Sequence, residues 1–522
     1  MLALSGSIKL ALRFLFRVDA ASEIGSGHVM RCLCLAEALR AAGHACRFLC
    51  RRREGDLIEM VEARGFNCTV LPATEKVPAG CEWLGASMAA EIDQSRAAVA
   101  AEAPDWLVID HYALDAEWER AVAPPATRVM VIDDLADRSH SCDLLLDQQL
   151  FNRPENYTAL IPDQARMLLG PAYSLLRSEF VKLRPAAEAR LRTWPPGRVL
   201  VSLGGMDSDD ATRSVLEALA RSDLPNDCVI DVVMGRNAPH IATVRDCAAS
   251  CRFDAQIAVD VTDMGARILA ADLAIGAGGT MSWERACLGL PSLIVPLAEN
   301  QLGVAKSLEA AGAAINLGPL REQGWQDRLL AGLAALSAQG RIAEMSATCL
   351  ALVDGAGTAR VVEALTAPQL TLRPCTLDDA ERVWRWREAD GASRFYRSGQ
   401  PTPWTMHAQW FRAALQDPRR ALFIVEQDGE AVAHLRLDRP DNGLAEIGLT
   451  VDPARKGTGL GVGTVALALR HARQMSWPGL AAEVHSNNPA SARVFERNGF
   501  RQVGRFRGFV HYQIDLSKGA LA

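Results

Sequence analysis

The 522-residue sequence has no uninterrupted apolar run of about 18 residues, the length a membrane-spanning helix requires, so no such span is predicted. Its thirteen cysteines include no Cys-x-x-Cys pair and no Cys/His cluster at zinc spacing. That argues against a disulfide framework and a metal site, and predicts reduced thiols in a cytoplasmic protein. There is no basic tract and the net charge is −6, which speaks against a nucleic-acid surface. Low-complexity tracts and internal repeats of roughly 20–50 residues are missing too, which excludes repeat architectures. The apolar opening from Met1 to Phe16 is interrupted by Lys9 and Arg13 and lacks a small-residue cleavage site. Its first ten residues therefore read as a loose extension, not a signal peptide. With 49% hydrophobic and 23% charged residues, the chain has ample core and a length suited to about three domains of roughly 150 residues each.

Up to about Leu365, short apolar runs alternate with longer amphipathic ones. Strands are expected at Leu12–Val18, Ala45–Leu49, Trp106–Ile109, Val129–Ile132, Val199–Ser202, Cys228–Val233, Asp272–Gly276 and Leu293–Val295, with helices such as Val29–Ala42 and Thr212–Ala220 between them. This alternation predicts α/β architecture with parallel sheets covered by helices on both faces. A proline-rich interruption from Arg184-Pro185 to Pro195-Pro196-Gly197 divides the region into two Rossmann-like, doubly wound domains, 1–185 and 186–366. Beyond Thr366-Ala367-Pro368 the pattern changes to strands at Leu370–Pro374, Ala421–Gln427, Ala431–Leu437, Leu444–Val451 and Leu480–His485, with a hairpin turn at Asp428-Gly429. Helices at Asp378–Glu388, Gly461–Met475 and Ala490–Asn498 complete an α+β domain over 370–517.

Each of the first two domains places glycines where a strand passes into a helix. In the first, Gly25-Ser26-Gly27-His28 precedes a helix in which Val29, Leu33, Leu35, Ala36 and Leu39 recur. Such a turn lets backbone approach a ligand and puts the histidine at the cleft above the sheet. In the second, Gly204-Gly205 follows one strand and Gly278-Gly279-Thr280-Met281 follows another, with Glu284 one turn later. Glycine amides with the Thr280 and Ser282 hydroxyls suit a pyrophosphate, and Glu284 suits ribose hydroxyls. A helix cap with an early carboxylate would leave the same trace.

The string continues as Gly289-Leu290-Pro291, a strand, Pro296 and then Asn300-Gln301, and so resembles the donor-nucleotide site of GT-B glycosyltransferases. Within that architecture, Arg17-Val18-Asp19-Ala20, Gly25 to Leu33, Asp110-His111-Tyr112, Ile132-Asp133-Asp134, Gly170 to Arg177 and Val201 to Asp207 resemble one family. It is the UDP-2,4-diacetamido-2,4,6-trideoxy-β-L-altropyranose hydrolases of pseudaminic acid biosynthesis, over residues 12–365. One departure is Asp147-Gln148-Gln149, where that family leads one to expect an Asn-containing run in the floor of the sugar pocket. The resemblance implies metal-independent cleavage of the anomeric C–O bond by water, with inversion. His28 would be the base, Asp19 would orient it or bind sugar, and Tyr112 would contact an acetamido or hydroxyl group. Arg17, Gly27, Gly204, Gly205, Gly279, Thr280, Met281, Glu284, Asn300 and Gln301 would bind substrate and UDP.

In the third domain Lys456-Gly457-Thr458-Gly459-Leu460-Gly461 follows a strand and opens a helix, and Asn487-Asn488-Pro489 to Asn498-Gly499-Phe500 follows about 25 residues later. The two together resemble the signatures of GNAT N-acetyltransferases, and His407-Ala408-Gln409-Trp410-Phe411 resembles members acting on 4-amino nucleotide sugars. The resemblance implies acetyl-CoA as co-substrate, held by Val451, Lys456, Gly457, Thr458, Gly459, Gly461, Asn488 and Phe495. Glu446 would be the base for the acceptor amine, on the strand that the family splays to admit acetyl-CoA. Phe495 stands where many relatives carry an acidic tyrosine; Tyr396, Tyr512 or solvent are the substitutes. Trp384, Trp386, Trp404 and Trp410 either line an acceptor pocket or belong to the core. The expected protein is thus a bifunctional enzyme of UDP-linked amino sugars, with no nucleic-acid or membrane partner, monomeric or weakly oligomeric. The alternatives are a GT-B glycosyltransferase, an enzyme of a related nonulosonic acid route, and a sugar-nucleotide sensor.

Overall fold

The computed structural model describes residues 11–21, 24–74, 77–163, 165–207, 209–367, 370–427, 429–440, 444–475 and 477–516. The expected opening extension, and Asp428 of the expected hairpin turn, lie outside them. The chain divides into two units, Met1–Thr366 and Ala367–Ala522.

The first half of the first unit carries seven strands: β1 (Arg13–Val18), β2 (Ala45–Arg51), β3 (Asn67–Leu71), β4 (Trp106–Asp110), β5 (Arg128–Ile132), β6 (Leu144–Asp147) and β7 (Arg166–Leu169). They form one parallel sheet in the order β3-β2-β1-β4-β5-β6-β7. The central strands are mostly apolar because both faces are covered: Phe14, Phe16 and Val18 belong to one core, and Leu15 to the other. The second half repeats the plan with β8 (Arg198–Ser202), β9 (Val229–Met234), β10 (Asp254–Val259), β11 (Leu273–Gly276), β12 (Ser292–Ile294) and β13 (Ala314–Asn316). Their order is β10-β9-β8-β11-β12-β13, again parallel. In both sheets the winding reverses direction beside the first strand, between β1 and β4 and between β8 and β11, where a crevice opens at the strands' carboxyl ends.

Two features depart from the sequence reading. The helix Ser178–Ala189 runs through Pro185, so the break between the halves is the segment 190–197. Val181, whose carbonyl loses its helical donor to Pro185, sits on the exposed side of that helix. The last helix, Gly357–Thr366, returns to the first half: Val361 and Leu365 enter its core, and Trp106 Nε1 donates to the Leu365 carbonyl at 3.1 Å. The chain thus crosses between the halves twice, and the crossings meet. Leu176 N donates to Thr358 Oγ1 at 2.9 Å, the same hydroxyl donates to the Leu176 carbonyl at 2.9 Å, and a Cβ on Gly357 would lie 2.4 Å from the Ser174 carbonyl oxygen.

The second unit holds β14 (Leu370–Pro374), β15 (Arg420–Gln427), β16 (Glu430–Asp438), β17 (Ala445–Val451), β18 (Gly479–His485), β19 (Arg501–Phe506) and β20 (Phe509–Asp515). The sheet order is β14-β15-β16-β17-β18-β20-β19, antiparallel except for β17 and β18. That parallel pair joins only at Ala445–Leu480 and Glu446–Ala481, and the strands then part. The sheet packs on the Leu460–Gln474 helix through Val465, Ala468 and Ala472.

Leu365 is fully buried at the return of the chain to the first half. Leu365→Ala should lower the stability of the first unit by about 2–5 kcal/mol, measured by chemical denaturation of the full chain.

Candidate active sites

His28 occupies the first turn of the helix Gly27–Ala41, reached from β1 through a tight turn in which Gly25 N donates to the Ala21 carbonyl and Gly25 takes φ +81°. That positive φ is why a glycine stands there. The adjacent strand β4 ends in Asp110, so the reversal of the sheet brings the two side chains together: His28 Nδ1 lies 2.6 Å from Asp110 Oδ1. An ionised carboxylate only accepts, so Nδ1 carries the proton and Nε2 keeps its lone pair. Arg31, one turn along the helix, closes a fork on the same carboxylate, with Nε to Oδ2 at 2.6 Å and Nη2 to Oδ1 at 2.7 Å. Burial works against ionisation of Asp110, yet the Arg31 charge and the hydrogen bonds from Arg31 and His28 prevail and hold its carboxyl far below the usual range.

Asp134, at the end of β5, extends the network. Its Oδ2 accepts from Arg31 Nη1 at 2.8 Å and from the Tyr112 hydroxyl at 3.0 Å, and its Oδ1 accepts from Gln149 Nε2 at 2.9 Å. Tyr112 stands edge-on to His28 with centroids 4.7 Å apart, and Trp83 packs beside both rings. Asp147 accepts from the Tyr157 hydroxyl at 2.8 Å and from Asn152 Nδ2 at 2.5 Å; burial and the charge of Asp134 push its carboxyl up to about 7. Asn152, three residues beyond Asp147-Gln148-Gln149, thus binds the Asp147 carboxylate.

The second half faces this cluster. A Cβ on Gly27 would lie 3.6 Å from Thr280 Oγ1, and one on Gly205 would lie 3.8 Å from Ser26 Oγ, so the glycine turns of the two halves oppose one another. Burial and the Asp134 charge push the Tyr112 hydroxyl up, while Arg31 and Asn300, the latter from the second half, work against them. Gly279 has open space around it, and Gly204 takes φ +95°. Gln301 Oε1 accepts from Gly278 N at 3.2 Å and Leu297 N at 3.0 Å, which makes it a brace for the turn. Met281 Sδ lies 3.7 Å from the Ser202 hydroxyl. Glu284 lies 3.3 Å from Arg177; burial pushes its carboxyl up and Arg177 opposes that.

Arg17 and Asp19 sit elsewhere than expected. Both are fully buried in a mutual fork of 2.6 and 2.9 Å, completed by Glu91, the Arg51 amide and His111. This network closes the layer beneath the cleft, and the residue that orients His28 is Asp110. The sequence held a signal for it: Asp110-His111-Tyr112 ends the strand next to β1, where a doubly wound sheet gathers its functional side chains. Arg31 and Asp134 lie in the Gly25–Leu33 and Ile132-Asp133-Asp134 strings, which carry no mark of their pairing because their partners come from separate strands and helices.

In the second unit, Glu446 stands at the last paired position before β17 and β18 part, 3.9 Å from Arg436, beside an open cavity of about 420 Å³. Val451 ends β17, and the loop beyond it exposes Lys456, Gly457, Thr458 and Gly459, with φ +82° and +87° at the two glycines and open space around both. This cradle suits a pyrophosphate. Gly461 answers to packing, since a Cβ there would lie 3.2 Å from Val494. Asn488 caps its own helix, Oδ1 accepting from Ser491 N at 3.1 Å. Phe495 is core, 3% exposed and stacked on Tyr512, so its expected contact with CoA is replaced by packing. Neither substitute tyrosine is free to act as an acid: the Tyr512 hydroxyl donates to Glu496 at 3.0 Å and that of Tyr396 to the Arg387 carbonyl.

Removing the Asp110 carboxylate would leave buried Arg31 with Asp134 alone and the His28 Nδ1 proton without an acceptor. Asp110→Ala should cost about 3–5 kcal/mol of stability in a denaturant titration, and Asp110→Asn less, because the amide oxygen still accepts from Arg31.

Comparison with known proteins agrees with these two assemblies. Residues 369–501 match the Acetyltransferase (GNAT) domain family. An uncharacterized protein of Methanocaldococcus jannaschii is 21% identical over 523 residues, covering 95% of this chain and 99% of its own. The UDP-2,4-diacetamido-2,4,6-trideoxy-beta-L-altropyranose hydrolase of Campylobacter jejuni is 25% identical over 231 residues, 44% of this chain and 72% of the hydrolase. The crystal structure of MurG from Acinetobacter baumannii superposes with a TM-score of 0.50 at 14% identity, over 68% of this chain and 99% of MurG, and so shares the fold. The chain therefore joins a GT-B-like region resembling a UDP-sugar hydrolase to a GNAT acetyltransferase domain.

Proposed function

We propose that the chain is a bifunctional enzyme acting on UDP-linked amino sugars. The first unit would hydrolyse UDP-2,4-diacetamido-2,4,6-trideoxy-β-L-altropyranose. The second would acetylate the 4-amino group of its UDP-sugar precursor with acetyl-CoA. The observation that carries the first activity is His28 held through Nδ1 by Asp110 at the cleft, opposite the glycine turns of the second half. In this reading His28 Nε2 takes a proton from water, whose oxygen bonds to the anomeric carbon as the C–O bond to the phosphate breaks, with inversion. The electron pair leaves on UDP, where amides of the Gly204-Gly205 and Gly278–Thr280 turns meet the charge. Asp110 fixes the tautomer and stabilises the imidazolium formed; Tyr112 and Asn300 orient the sugar nucleotide.

For the second activity, acetyl-CoA would enter where β17 and β18 part, with its pyrophosphate on the Lys456–Gly459 loop. Glu446 accepts the proton of the amine, directly or through water, as the nitrogen bonds to the thioester carbonyl. The C–S bond then breaks, and the thiolate takes its proton from solvent, since both tyrosine hydroxyls are already engaged. The domains are taken as 1–185, 186–366 and 370–517, and both reactions are placed in the cytoplasm. No helix among the described residues is long and apolar enough to cross a membrane. The fold shared with MurG favours a second reading, transfer of the sugar to an acceptor other than water.

With acetyl-CoA and the 4-amino UDP-sugar supplied, NMR should show CoA and UDP both appearing. His28→Gln should cut UDP release by about 10²–10⁴-fold and leave acetylation intact; release at the wild-type rate would reject His28 as base. Glu446→Gln should slow acetylation alone, and an unchanged rate would remove it from that role. A transferase would release little UDP from the diacetamido sugar nucleotide without an added acceptor.

A further inference from the structure

The Trp83 ring stands beside both His28 and Tyr112, and neither reaction step uses it. It is a large apolar side chain, yet 36% of its surface remains open, while Leu84 and Ala86, which follow it, are buried. Its ring lies 6.3 Å from His28 at 86° and 5.2 Å from Tyr112 at 39°, so the three rings form a corner with Trp83 as the outer wall. The loop beneath is fixed. Arg53 donates from Nη1 to the Trp83 carbonyl and from Nη2 to the Glu82 carbonyl, each at 2.7 Å. Gly85 takes φ +69° against the Arg51 and Arg53 side chains, at 3.2 and 3.4 Å from a would-be Cβ.

A rigid, half-open indole beside a general base is how a protein meets a ligand that is polar on one side and apolar on the other. We infer that Trp83 is a specificity-determining residue, whose indole covers the apolar face and deoxygenated carbon of the sugar while His28 addresses its anomeric carbon. This rests on the hydrolase reading of the first unit. The rings of Tyr112 and Trp83 adjoin, so the sugar meets the tyrosine hydroxyl and the indole as neighbouring parts of one wall. The nucleotide, held by the second half, lies outside its reach.

The test is initial-rate UDP release from the 2,4-diacetamido-2,4,6-trideoxy UDP-sugar, with UDP affinity measured by calorimetry. Trp83→Ala should raise KM about tenfold with a smaller effect on kcat, and should narrow the preference over UDP-N-acetylglucosamine, whose C6 keeps its hydroxyl. Trp83→Phe should recover most of the loss, and UDP affinity should stay at the wild-type value in both. An unchanged KM in Trp83→Ala, or an equal weakening of UDP itself, would overturn the inference while the hydrolase reading stands. Absence of UDP release by the wild-type protein would overturn that reading and the inference together.

Discussion

The buried fork between Arg31 and Asp110 is the constraint around which the first unit is arranged. A carboxylate with no solvent needs compensating charge and full hydrogen bonding, and Arg31 supplies both while leaving one edge of the carboxylate to His28. The strand order then becomes a chemical requirement, because only adjacency of β1 and β4 lets a helix following one strand reach an aspartate ending the other. Asp134 extends the same logic to β5 and ties the Tyr112 hydroxyl to the far end of Arg31. The imidazole is oriented by groups that are themselves oriented, so its Nδ1 edge is held in one geometry.

Beneath lies a second charged layer of Arg17, Asp19, Glu91 and Arg51, closed to the cleft. Its presence one residue away from the functional strand ends shows why chemistry-bearing residue types mislead when read singly. Arg17 and His28 look equally suited to a substrate in the sequence. Their difference lies in which way each strand or helix turns its side chain, a tertiary fact.

The two Rossmann-like halves and the acetyltransferase fold were legible because their signals are local. Central strands are continuous apolar runs, and glycine turns mark the passage from strand to helix. What stayed hidden is largely peripheral or non-local. The edge strands β3, β10 and β13 have one neighbour each and mix polar with apolar residues, so their periodicity is weak. β19, also at an edge, is exposed throughout. The helix Trp404–Gln416 was visible only as tryptophans at helical spacing, and its burial of His407, Phe411 and Ala414 shows a core face. In the second unit the glycine cradle follows from the pattern, and the parting of β17 from β18 is what the GNAT resemblance implies. The substitution of Phe495 for tyrosine was also visible, but that both remaining tyrosines are committed to other acceptors needed the folded chain.

The paired crossings at Leu176 and Thr358 have a mechanical consequence. Two segments joined by hydrogen bonds, with Gly357 seated against Ser174, hold each other in place where the chain passes between the halves. Loss of the Thr358 hydroxyl, or a side chain at position 357, would therefore unseat both passages at once.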